Sequence, residues 1–76
     1  MADERPLDPD AELANRFTWH PPKPGQPDRY LAIRENALTL ARIITQSCPA
    51  SRERSLAVTK LEEAVFWANA AIARNE

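Results

Sequence analysis

The chain is short of almost everything that usually carries chemistry. Its 76 residues hold one cysteine, one histidine and one glycine. A single cysteine, Cys48, excludes an intrachain disulfide and suits a reducing compartment. One histidine and one cysteine cannot build a four-ligand structural zinc site. The formal net charge of −1 leaves no basic excess for holding a DNA or RNA polymer. No apolar run reaches the length of a membrane span or a signal-peptide core. Phosphate-cradling glycine loops and nucleophile elbows are missing as well. These absences predict a protein that is no enzyme, is intracellular, and uses neither metal nor cofactor. A domain this small is marginal by itself, and with disulfides and metals excluded, self-association is the remaining source of stability.

What is present concentrates in one stretch, Arg16 to Arg34, RFTWHPPKPGQPDRYLAIR. It contains one of the two tryptophans, the histidine, the glycine and four of the seven prolines. Met1 to Leu7 is charged and aperiodic and reads as a disordered tail, so that residues 8–76 form a single domain. Asp8 and Pro9 signal a helix start, one as cap and one at the first helical position. Leu13 and Phe17, four apart, are the expected anchors of this short helix. His20 to Pro27 is too rich in proline for helix or central strand. It reads as an extended connector that turns at Gly25.

Two longer helices follow. The first covers about Asp28 to Gln46, with Tyr30, Ile33, Ala37, Leu40, Ala41 and Ile44 on one face. Pro49 ends it, and Ser47 to Ala50 forms a tight connection. Ser51 caps the next helix, which runs to about Arg74. Its positions Val58, Leu61, Val65, Ala68 and Ile72 make a heptad seam, with Ala57, Ala64 and Ala71 as a second line. Together they cover an arc of roughly 140°, wider than one partner helix requires. Leu56, Phe66 and Trp67 lie outside it. The fold class is therefore all-α, a short N-terminal helix followed by an antiparallel two-helix hairpin, and the surplus apolar surface predicts a homo-oligomer.

Catalytic readings are weak. Glu62 and Glu63 are adjacent and diverge on a helix, so they are no carboxylate pair. Cys48 reads as a small buried hydrophobe, and His20 as a capping or packing residue. Binding is the stronger class. Trp19 offers a π-face beside a constrained backbone, and Lys23 and Arg34 are within reach of an anion, the combination a nucleotide needs. The residues equally allow Trp19 to staple the N-terminal segment to the helices, with both cations solvated. Thr59 reads as surface and Arg74 as a partner of the helix dipole. PPKPGQP also contains the P-x-x-P spacing that SH3-type grooves accept.

Two segments, FTWHPPKPGQPDRYLAIR and CPASRERSLAVTKLEEAVFWANAAIARN, resemble the small phage anti-CBASS sponge family, whose helical hairpin also occurs in sponges directed against Thoeris defence. The resemblance spans about Arg16 to Asn75. It implies a non-enzymatic protein of the infected bacterial cytoplasm that sequesters cyclic oligonucleotide messengers, with cyclic dinucleotides such as cyclic GMP–AMP bound between protomers of a hexamer. Cyclic trinucleotides are implied at a separate site. The base-stacking aromatic before the histidine falls on Trp19, where many members carry tyrosine, and the phosphate-binding basic residue on Arg34. His20, Lys23 and Thr59 are the adjoining dinucleotide contacts, while Asn36 and Arg74 fall near the trinucleotide site. A cyclic ADP-ribose type signal is the alternative ligand. A structural or protein-binding hairpin is the alternative outside the family.

Overall fold

The computed structural model describes residues 8–76, and the tail expected over residues 1–7 lies outside them. The described residues form three helices and no strand: α1 (Pro9–Phe17), α2 (Gln26–Ser47) and α3 (Arg52–Asn75). None is long and apolar enough to cross a membrane. The helices α2 and α3 pack against each other as the antiparallel hairpin, and α1 reaches the end of α3 through Asn15.

Local sequence explains each boundary. The Asp8 carboxylate accepts from the Ala11 N–H at 3.0 Å, and Pro9 occupies the first turn where its missing N–H costs nothing. Gly25 caps α2 with φ of 84°, a left-handed angle that only glycine adopts without strain. That reversal makes Gln26 already helical, two residues before the start expected at Asp28. At the other end α2 runs through Ser47, and Cys48–Ser51 connect the helices. The last turn of α2 contains no basic residue. Arg54 of α3 supplies the missing donors, bonding the carbonyls of Thr45 at 3.0 Å and Cys48 at 3.3 Å. Ser51 caps α3 by accepting from the Arg54 N–H at 3.1 Å.

The predicted seams form the hairpin interface, except at Leu40, which is exposed. Tyr30, Ile33, Ala37, Ala41 and Ile44 of α2 are half-buried, as are Val58, Leu61, Val65, Ala68 and Ile72 of α3. Yet no hydrophobic side chain among the described residues is fully buried. Two parallel rods have no third layer to close over the seam. The radius of gyration is 16.3 Å, against about 11 Å for a compact domain of this length. Leu38, Leu40, Ile43, Leu56, Phe66 and Trp67 stand 44–68% exposed. Ala57, Ala64 and Ala71 are exposed as well.

Two expectations are corrected. Cys48 is exposed, because it sits in the tip of the hairpin where nothing packs over it. Leu13 and Phe17 do not anchor α1, being 51% and 85% exposed. A polar contact holds it instead: the Asn15 side-chain amide donates to the Arg74 carbonyl at 3.2 Å.

Candidate functional site

The proline-rich connector returns the chain from α1 to α2 alongside the end of α3, and the three segments enclose an open cleft of ≈ 480 Å³. The end of α1 and the connector supply Arg16, Thr18, Trp19 and His20. The first turns of α2 supply Tyr30 and Arg34, and the last turns of α3 supply Asn69, Ala70, Ala73 and Arg74.

The connector is fixed by hydrogen bonds rather than by apolar packing. His20 Nε2 lies 2.8 Å from the Asn15 carbonyl oxygen. A carbonyl only accepts, so Nε2 carries the proton and the ring acts as a C-terminal cap of α1. At the far end, Gln26 is 3% exposed and is the one buried residue among the described residues. It is well satisfied, as a buried amide must be. Its Oε1 accepts from the Lys23 N–H at 2.9 Å, its own N–H donates to the Lys23 carbonyl at 3.0 Å, and its Nε2 donates to Glu76 Oε1 at 3.3 Å. Glu76 also accepts from both terminal nitrogens of Arg29, one at 2.8 Å, and its backbone oxygen accepts from Lys23 Nζ. The Arg29 hydrogen bonds, then that from Gln26, hold the Glu76 carboxyl down to about 2, and the same contact raises Arg29.

Inside the cleft the electrostatics are one-sided. Arg16 is paired with Glu12 at 2.8 Å across one helical turn. Among the described residues, the guanidinium groups of Arg34 and Arg74 have no carboxylate within salt-bridge distance. Trp19 is 79% exposed beside them, and Tyr30 is half-buried below. Two unpaired planar cations and two aromatic faces can hold an anion with an attached planar ring.

Four of the seven residues singled out from the sequence meet here: Trp19, His20, Arg34 and Arg74. Lys23 does not line the cleft and spends its ammonium on Glu76. Thr59 is exposed on α3, outside the cleft. Asn36 borders an apolar groove on another face of the hairpin, with Ile33, Leu40 and Ala64, and its amide donates to the Ala32 carbonyl at 2.7 Å. Asn36 thus borders a different groove from the cleft that Arg74 lines.

Sequence reasoning missed Asn69 and Arg16 and read Tyr30 only as an apolar seam position. Asn69 Oδ1 is buried and has no hydrogen-bond partner among the described residues. The available signal was a polar residue at a half-buried position within a run of alanines, which is more informative than another exposed leucine.

The comparison with protein families also finds a helical hairpin. The Acb2/Tad1 hairpin domain matches residues 9–73, which covers α1, the connector, α2 and all but the last two residues of α3. The chain belongs to the Acb2/Tad1 hairpin family. This is the anti-CBASS and anti-Thoeris sponge family, which implies an anti-defence sponge role for the chain. No curated protein and no solved structure matches it.

Proposed function

We propose that this protein captures cyclic oligonucleotide messengers of anti-phage defence and holds them without cleaving them. The observation that carries the reading is the cleft that joins Trp19 and Tyr30 to the guanidinium groups of Arg34 and Arg74, neither of them paired with a carboxylate among the described residues. The indole of Trp19 stacks on a base, at about 1–3 kcal/mol. Arg34 takes a phosphate bidentately, and hydrogen bonds to charged groups contribute about 1.5–3 kcal/mol each. The imidazole of His20 is engaged with the Asn15 carbonyl, which supports a positioning rather than an acid–base part for it. Capture is then stoichiometric and protects infection by starving the defence effector of its signal.

A cyclic dinucleotide such as cyclic GMP–AMP has approximate two-fold symmetry. Two copies of the cleft related by a two-fold axis present two indoles and two Arg34 groups to it. Oligomerisation is part of the proposal, since the exposed Leu38, Phe66 and Trp67 need cover that one hairpin does not provide. The hexamer that the family resemblance implies is a suitable arrangement, with Asn36 and Arg74 meeting across subunits at a cyclic trinucleotide. One further ligand class is favoured by the three guanidinium groups that line the cleft: a cyclic ADP-ribose type signal carries adjacent phosphates and one base.

Isothermal calorimetry with cyclic GMP–AMP, a cyclic trinucleotide and cyclic ADP-ribose tests the reading. We expect binding of at least one, with the ligand recovered intact after heat denaturation of the complex. Failure to bind any of them rejects capture, and recovery of a linear product makes the protein an enzyme.

A further inference from the structure

The segment that carries Trp19 has little apolar packing to hold it. Trp19 and the neighbouring Phe17 are 79% and 85% exposed. Its fixed course therefore depends on the polar contacts at its two ends, and both sets terminate on the end of α3. Before the connector, Asn15 donates to the Arg74 carbonyl and receives the His20 N–H on its own carbonyl. After it, buried Gln26 grips the backbone of Lys23 on both sides and hands its remaining donor to Glu76. Glu76 is the hub of the second set, with Lys23, Gln26 and Arg29 converging on it.

We infer that Asn15, Gln26 and Glu76 are positioning residues, a two-point latch that fastens the Trp19 segment to the end of α3 and sets the indole over the cleft before any ligand arrives. None of the three lines the cleft. Each acts through the course of the connector. Exposed ion pairs such as Arg29–Glu76 contribute little singly. The consequence lies in their convergence, because an unfastened connector must be ordered again at each binding event. The inference rests on the capture reading for its affinity arm, and has a second arm that needs no ligand.

The test uses the full chain with Trp67→Phe, which leaves Trp19 as the only indole. Asn15→Ala with Glu76→Ala is expected to lower the fluorescence anisotropy of Trp19 and to weaken 3′,3′-cyclic GMP–AMP binding about tenfold, at unchanged helix content. A residue that merely supports the fold would lower the melting temperature and leave the anisotropy of the folded protein unchanged. If the double variant does not fold, Glu76→Gln alone is read in the same two ways. Unchanged anisotropy in a folded variant overturns the latch, as does unchanged affinity where the parent binds. A parent that binds no cyclic nucleotide defeats the capture reading instead, and the anisotropy arm then decides the latch by itself.

Discussion

The two ends of this molecule are held in different ways. At the connector end, polar groups converge: a buried amide, a carboxylate with two partners, and a histidine docked on a helix terminus. Along the rest of the hairpin the surfaces are apolar, with one groove lined by Leu38, Val58 and Phe66 and another by Leu40, Leu61 and Ala64. Hydrogen bonds are directional, so the first region can fix the position of a few side chains with no core beneath them. Apolar contact is non-directional and grows with area, so the second region gains most from a large partner surface. On the proposed reading, recognition belongs to the first region and association to the second. Arg34 borders both, lining the cleft and the first groove, so the two proposals meet at that residue.

The comparison breaks most visibly if the apolar half is charged. Leu38→Asp with Phe66→Asp is expected to abolish self-association, because no apolar side chain of a single hairpin is fully buried. Sedimentation equilibrium should show only monomer, and the melting temperature should lose its dependence on concentration. A wild-type protein that is already monomeric at micromolar concentration removes this half of the contrast.

The polar end is probed next. Arg34→Ala and Trp19→Ala are each expected to weaken cyclic dinucleotide binding roughly tenfold to a hundredfold, from the loss of a charge-assisted bond or a stacking face. Titration calorimetry checks both, and native affinity in the two variants would refute the site. A smaller effect follows from the turn. A Cβ on Gly25 meets nothing within 4 Å, so Gly25→Ala costs only its left-handed backbone angle. We expect a loss of about 1–2 kcal/mol in chemical denaturation. An unchanged midpoint would mean that the turn relaxes without cost.

The smallest effect is on pH. The Glu76 carboxyl is held down to about 2 from an ordinary 4.5, chiefly by Arg29. Its contribution is fully present above about pH 4.5 and is lost as the pH falls toward 2. Glu76→Gln should therefore flatten part of the acid dependence of stability between those values. Identical acid profiles for the two proteins would show that the pairing does not outlast solvent screening.

Much of the fold was legible in the chain because its signals are local or periodic. Asp8–Pro9, Pro49 and Ser51 mark helix ends through their own backbone chemistry, and the spacing of Val58 to Ile72 specifies the seam. The site was legible in part. Trp19 and Arg34 stand out as an aromatic and a cation flanking a proline run, whereas Asn69 and Arg16 line the cleft only because distant turns meet. Leu13 and Phe17 misled because their spacing shows which residues share a helix face, not what that face touches.

Sequence alone therefore determined that the chain is a helical hairpin with an irregular, proline-stiffened connector and more apolar surface than one hairpin covers. Those properties follow from backbone angles and residue period, which need no knowledge of distant parts. Only the tertiary structure decided that the end of α3 returns to the connector, bringing Glu76 to Lys23, Gln26 and Arg29, and Arg74 to Trp19 and Arg34. The physical reason is that these partners are separated by about forty to sixty residues of sequence, and no local rule carries a hydrogen bond across that distance.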